Sequence, residues 1–200
     1  MKYYEVDENL SGPILKVNEW INEAELDSVS LPHAMNVSSI NHEGRPASRM
    51  VLLKRISNEG FVFFTDYDGN KGKQIIASPF VALTFWWAKT NKQIRIEGEC
   101  SKVSEKESDD YFHSRPRGSQ ISASVSLQSS ELESYESLEK KSKQFEAEHL
   151  NKNIERPERW GGFLVRPTSI EFWIDQKNRL HKRELYTNND SVWDMVLLSP

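Results

Sequence analysis

The stretch Tyr111-Phe112-His113-Ser114-Arg115-Pro116-Arg117-Gly118-Ser119 gathers two guanidinium groups, three hydroxyls and an imidazole on a chain whose formal net charge is −4. Ser104 followed by Glu107 forms a capping-box pattern, so a helix is expected to start there and run to about His113. Pro116 suits the first turn of a second short helix. Tyr111, Arg115 and Ser119 recur every fourth residue and share one face if the joint between the helices permits. Two readings compete. Arginines at a helix C-terminus can cap the last carbonyls and lie in solvent. Alternatively, a planar Arg fork with a phenol and a serine hydroxyl binds a phosphate or carboxylate. Capping requires neither the phenol nor the serines, so the full stretch favours an anion site.

Other polar groups stand where structure alone does not ask for them. Arg49 and Lys54 flank Met50-Val51-Leu52-Leu53. On a straight strand a separation of five puts them on opposite faces, to serve different groups; ordinary strand-end charge is the alternative. Gly69-Asn70-Lys71-Gly72 offers backbone N–H groups and an ammonium to a phosphate, or is a plain turn. Gln128-Ser129 precedes a polar run, where Ser129 is also a natural helix cap. After Glu171-Phe172-Trp173, a strand carrying Arg179, His181 and Arg183 would show a basic stripe on one face, unless it is a solvated edge. No His, Cys and carboxylate set has metal-ligand spacing, and no Ser or Cys sits in a nucleophile motif.

Short strands must position these groups. Ile14, Val17, Ile21 and Ala24 predict an N-terminal amphipathic helix, with Trp20 beside them and Pro13 at its start. Strands are expected over 34–40, 47–56 and 61–65, a polar loop over 66–72, a short helix over 73–78, and a long hairpin from arms 80–88 and 93–103. The polar run 129–153 reads as a mostly solvated helix. Strands near 163–167, 169–174 and 179–186 follow, and 191–198 closes the chain. The fold class is mainly β with helices (α+β): antiparallel strands in a barrel that closes its own edges. The division expected is an N-terminal helical extension, 1–30, ahead of one domain over 31–200.

Two hundred residues suffice for a buried core. The acidic balance gives no reason to expect a nucleic-acid partner. Cys100 is the single cysteine, excluding an internal disulfide and fitting a reducing compartment. No apolar run approaches the roughly 20 residues that span a bilayer, and Met1-Lys2-Tyr3-Tyr4-Glu5 lacks an apolar signal core. A cytoplasmic location, with no membrane partner, is expected.

Taken in order, Arg49 to Lys54, Tyr111 to Ser119, Gln128-Ser129, Trp160-Gly161-Gly162, Glu171-Phe172-Trp173 and Arg179-Leu180-His181 resemble the pyridoxine (pyridoxamine) 5′-phosphate oxidase family, over about 34–200. The resemblance implies an FMN-binding split β-barrel homodimer with FMN in clefts between subunits. It implies flavin contacts at Arg49, Met50, Val51, Leu52, Leu53, Lys54, Phe64, Thr65, Lys71, Gln93, Gln128, Ser129, Trp173 and Arg183. Lys54, Tyr111, Arg115 and Ser119 would hold the substrate phosphate, with Arg179 and His181 beside the pyridine ring. The implied reaction oxidises pyridoxamine or pyridoxine 5′-phosphate to pyridoxal 5′-phosphate, with O2 as acceptor and hydrogen peroxide as product. Hydride leaves C4′ for the flavin. The chain departs from the family at Asn70, where a second basic residue usually accompanies Lys71, and at Lys182, which replaces a usual acid. Ile121-Ser122-Ala123-Ser124 lacks the usual Gly and Trp, and the N-terminus shows no counterpart of a basic, Tyr-containing segment. The alternatives are a related flavin oxidase of the phenazine-pathway type and a non-catalytic flavin- or haem-binding split-barrel protein.

Overall fold

The computed structural model describes residues 4–190 and 192–200. The expectations for Met1 to Tyr3 and for Ser191 lie outside the described residues. The chain runs β1 (Glu5–Val6), α1 (Gly12–Leu26), β2 (Ala34–Ile40), β3 (Pro46–Leu52), β4 (Arg55–Ser57), β5 (Gly60–Asp66), α2 (Asn70–Ala77), β6 (Phe80–Trp87), β7 (Lys92–Lys102), α3 (Glu105–Ser114), α4 (Arg117–Val125), α5 (Tyr135–Glu148), β8 (Trp160–Ile174), β9 (Lys182–Asn189) and β10 (Val192–Leu197). The strands form one sheet in the order β1-β4-β5-β8-β7-β6-β2-β3, with β9 paired to both β8 and β10. Every pairing is antiparallel except β1 with β4.

The apolar spacing of α1 is borne out. Ile14, Val17, Trp20, Ile21 and Ala24 are buried in the main core with the strand residues Val37, Leu83, Phe85, Ile94, Ile96 and Phe172. Ser11 makes no side-chain cap for α1, so its stability rests on this burial, about 1.5–3 kcal/mol for each large side chain. The Ser104 hydroxyl accepts from the Glu107 N–H as the capping box requires. Phe112, Ile121, Ile154 and Trp160 form a second, smaller core under α3 and α4, with Phe64 and Tyr111 packed against it. Its seam with the main sheet carries the site. No residue of α5 is buried, in keeping with a solvated helix.

Five expectations need correction. The strand expected over 47–56 breaks at Leu53-Lys54, where the Leu53 N–H turns to the His33 carbonyl and the Lys54 N–H to that of Val62. The helix expected over 73–78 begins at Asn70, because Gly69 is extended and serves as its N-cap. The two strands expected over 163–167 and 169–174 are one fifteen-residue strand, β8. Pro167 lacks an N–H and does not end it, because Thr168 bulges out between the pairs Gly98↔Pro167 and Glu97↔Ser169. Gly98 admits that kink: a Cβ there would lie 2.3 Å from the Arg166 carbonyl oxygen. Before the bulge β8 pairs β5, and after it β9. The strands nevertheless stay in one sheet, which ends at β1, β3 and β10 among the described residues and does not close its own edges as expected. Finally, β9 begins at Lys182, after a turn in which Asn178 and Arg179 take left-handed φ values of 58° and 60°.

Candidate functional site

Three groups of side chains gather the residues of interest. The first lies where β3, β5 and the start of α2 meet. Arg49 donates from Nη1 to Ser39 Oγ (2.7 Å) and from Nη2 to Gln74 Oε1 (2.8 Å). Lys71 donates from Nζ to Gln128 Oε1 (2.8 Å) and to the Thr65 hydroxyl, which in turn donates to Gln128. The Asn70 N–H reaches Ser129 Oγ at 3.3 Å. Gly69 permits this approach, since a Cβ there would lie 2.9 Å from Gln128 Oε1. Lys71 is only 9% exposed, and all its hydrogen-bond acceptors are neutral. Burial, and after it Arg49, pushes its ammonium down to about 8, against a smaller opposing pull from Asp66. Burial likewise lowers Arg49.

The second group is Lys54, Tyr111 and Arg115. Tyr111 stacks on Phe64 (4.0 Å between centroids), Phe64 stacks on Trp160 (5.5 Å), and the Arg115 guanidinium lies 4.5 Å from the Trp160 ring centre. Burial and then Arg115 push the Lys54 ammonium below its ordinary value. Burial lowers Arg115 and raises the Tyr111 phenol. Arg115 Nη1 is buried with no hydrogen-bond partner. A cavity of about 310 Å³ opens beside Lys54, Phe64 and Tyr111. A smaller one of about 140 Å³ is lined by Arg115, Trp160 and Gln128, so it links this group to the first.

Among the described residues no carboxylate forms an ion pair with Arg49, Lys54, Lys71 or Arg115. Four cations half-buried or deeper, with two lysines depressed by burial and then by neighbouring arginines, make a site that lacks only an anion.

The third group lies across β7, β8 and β9. Gln93 pairs with Trp173 and Trp173 with Arg183, so three residues distant in sequence form one cross-strand row. Trp86 continues it on β6. Glu171 accepts from Arg183 Nε (2.7 Å) and Arg95 Nη1 (3.0 Å). The His181 ring lies against Trp173, 4.6 Å between centroids.

Register decides how these groups relate. Arg49 pairs with Val37, Val37 with Leu83, and Leu83 with Ile96, so Arg49 leaves the core face of the sheet. Gln93, one residue before the buried Ile94, leaves the outer face, with Trp173 and Arg183. Met50, Thr84 and Trp86 share that outer face, on which Met50 is 62% and Trp86 52% exposed.

The structure therefore brings together Arg49, Thr65, Lys71, Gln128 and Ser129, then Lys54, Phe64, Tyr111 and Arg115, then Gln93, Trp173, His181 and Arg183. Leu53 is wholly buried in the core and Val51 packs against it, leaving their backbone for any ligand. Ser119 is half-buried at the start of α4 and makes no hydrogen bond to Tyr111 or Arg115. The basic stripe expected over Arg179, His181 and Arg183 does not form. Arg179 and His181 precede the strand, and the left-handed turn breaks the two-residue alternation. Sequence reasoning missed Ser39, Gln74 and Asp175. Ser39 alternates with the buried Val37 on one strand face, a usable signal; Gln74 and Asp175 carry none.

Comparison with known proteins identifies the family. The family described as pyridoxamine 5′-phosphate oxidase matches residues 21–149, and the region described as the pyridoxine 5′-phosphate oxidase C-terminal dimerisation region matches residues 160–200. This chain belongs to the pyridoxamine 5′-phosphate oxidase family. The family relationship extends along nearly the whole chain. The pyridoxine/pyridoxamine 5′-phosphate oxidase of Nostoc sp. is 44% identical over 98% of this chain and 91% of that protein. The enzyme of that name from Psychromonas ingrahamii is also 44% identical, over 95% and 88%. PhzG from Burkholderia lata, solved in complex with tetrahydrophenazine-1-carboxylic acid, superposes with a TM-score of 0.90 at 28% identity, covering 97% of this chain and 95% of that one. A pyridoxamine 5′-phosphate oxidase-related, FMN binding protein from Nostoc punctiforme has a TM-score of 0.77 at 15% identity, over 96% and 100%, and shares the fold. No helix among the described residues is long and apolar enough to cross a membrane.

Proposed function

We propose that the protein is an FMN-dependent oxidase of pyridoxamine and pyridoxine 5′-phosphate. The observation that carries the reading is the pair of anion-deficient cation groups joined by the cavity between Arg115 and Gln128. Reactant and cofactor each bear one phosphate, and two phosphates are what the site is short of. Lys71, buried on neutral oxygens, fits the FMN phosphate, with the N-terminus of α2 and Ser129 adding donors and Arg49 alongside. Lys54, Tyr111 and the partnerless Nη1 of Arg115 fit the substrate phosphate, with Ser119 expected to close in once it is bound. Bound FMN supplies the acceptor for the C4′ hydride and returns the electrons to O2. The chain's own task is to hold the phosphate so that C4′ is turned toward the reacting position, using remote binding energy for orientation.

A homodimer completes the site. Arg49 and the row Gln93–Trp173–Arg183 leave opposite faces of one sheet, so one chain presents half of the flavin contacts inward and half outward. The exposed Met50, Phe80 and Trp86 give a second copy an apolar surface to cover. Arg179 and His181 would then stand beside the pyridine ring. The intact phosphate-binding group argues against the tricyclic, phosphate-free substrate of the phenazine-pathway alternative.

The purified protein should carry a flavin absorbance that bleaches anaerobically with pyridoxine or pyridoxamine 5′-phosphate and recovers in air. A flavin that neither ester bleaches rejects the oxidase reading.

A further inference from the structure

Asp66 ends β5 and pairs across the sheet with Trp160, the first residue of β8. Its side chain is only 5% exposed. It follows Thr65, which accepts from Lys71, and it is the acid that partly offsets the depression of the Lys71 ammonium. It also lines the cavity of about 140 Å³ that Arg115 and Gln128 share. A buried carboxylate therefore stands inside the cation-rich site, where by itself it would repel a phosphate.

Arg159, one residue before β8, answers it. Nε donates to Asp66 Oδ2 (3.1 Å). Nη2 donates to the carbonyls of Ala123 (2.9 Å), Ser124 (2.9 Å) and Ser126 (3.3 Å). These carbonyls close the C-terminus of α4, so one reading of Arg159 is an ordinary helix cap. A cap needs no carboxylate, however. The Asp68 N–H engages Asp66 Oδ1 (2.8 Å), and the ion pair is what gives Oδ2 its partner. Arg159 is itself fixed to the end of β5, because the Tyr67 N–H donates to its carbonyl. Asp66, Ala123 and Ser126 all line the cavity, so one guanidinium holds three parts of its wall.

We propose that Arg159 is a positioning residue that cancels the Asp66 carboxylate beside the cofactor-phosphate group and so keeps that group selective for a phosphorylated flavin. The inference rests on the proposed reading of Lys71, Thr65 and Gln128 as FMN contacts. With the pair intact, Asp66 and Arg159 sum to no charge, and Lys71 and Arg49 set the field at the phosphate. Without the guanidinium, a desolvated anion faces the incoming phosphate. The loss then falls on FMN and spares riboflavin, which is the same ring system without the phosphate.

The test is fluorescence titration of the flavin-free full-length protein with FMN and with riboflavin, read as the ratio of their dissociation constants. The wild type should favour FMN. Arg159→Met should lower that preference on the order of tenfold, as expected for one uncancelled charge roughly 10 Å away in an effective dielectric of about 20. Arg159→Lys, which keeps a charge beside Asp66 and loses the fan of carbonyl bonds, should retain most of the preference. The double variant Asp66→Asn/Arg159→Met should restore it, because no charge is left to cancel. An unchanged preference in Arg159→Met overturns the proposal. So does a preference that the double variant fails to restore, or that Arg159→Lys loses to the same extent, since Arg159 would then act only as a cap on α4. Where Arg159→Met binds neither flavin, the double variant decides: regained FMN binding supports the proposal and continued loss overturns it. A wild type that binds FMN no better than riboflavin sinks the cofactor-phosphate reading itself, and the proposal with it.

Discussion

Arg115 shows at residue scale how a cation is kept ready for a ligand. Its guanidinium is spread over the Trp160 ring and one terminal nitrogen is buried without a partner, so the cost of desolvation is met before substrate arrives. Holding a phosphate in ground and transition states alike, Arg115→Ala should mainly raise KM. Loss of a charge-assisted pair should reduce kcat/KM by roughly 2–4 kcal/mol. It should also narrow the preference for phosphorylated over phosphate-free pyridoxine. Steady-state kinetics with both substrates measure this, and an unchanged preference would make the stretch a helix cap after all. Lys71 predicts a pH dependence. Its value near 8 in the flavin-free fold lies below the ordinary 10.5. The folded protein therefore binds fewer protons than the unfolded chain between those values, and stability rises across that window as the buried charge is relieved. A bound phosphate restores the ammonium, so FMN binding should take up part of a proton at about pH 9 and weaken as pH climbs past about 8. Calorimetry in two buffers of different ionisation enthalpy reads the uptake, and Lys71→Met should abolish it; equal heats after buffer correction in the wild type would count against the assignment.

At the scale of elements, α2 is the device that, in the proposed function, would present the cofactor's anion site. It is short, begins on an extended Gly69, and has no acidic residue in its first turn, so its N-terminal dipole is left for a ligand. Asn70 is the exposed first residue of this helix, where the family usually has a second cation. Asn70→Arg should therefore tighten FMN. An exposed charge contact there is worth about 1 kcal/mol, or about fivefold in Kd, and the gain should shrink with added salt. Fluorescence titration of the apoprotein at two ionic strengths checks this. Equal affinities at low salt would mean that Ser129 or a second-copy residue already fills the role.

For the molecule as a whole, the sheet's two faces would set the stoichiometry under the proposed function. With Arg49 inward and Gln93, Trp173 and Arg183 outward, a flavin that meets both sets needs two chains. The protein should sediment as a dimer whenever FMN is bound, and dilution that separates the subunits should release the flavin with them. A monomer sedimenting with stoichiometric FMN would defeat the interface reading.

Local rules were enough to read much of this from the sequence. The burial period of α1, the Ser104–Glu107 cap, the strand 34–40 and the hairpin of β6 and β7 follow from residue types a few positions apart, and each stands in the structure close to its expected bounds. The cation-rich motifs at Arg49–Lys54 and Tyr111–Ser119 were legible too, because clustered charge and hydroxyls on an acidic chain need a reason. Long-range pairing decided the rest. The N–H of Lys54 turns to Val62, which ends a strand that its own composition would continue. The bulge opposite Gly98 carries β8 through Pro167 and lets it change partners. The left-handed turn at Asn178 and Arg179 removes the basic stripe and sets His181 on Trp173 and Asp175 instead. Gln74 reaches Arg49, and Gln128 reaches Lys71, across 25 and 57 positions of chain. A sequence period reports which face a residue takes, whereas the partner on that face is chosen by packing and register, and these exist only once the sheet has formed.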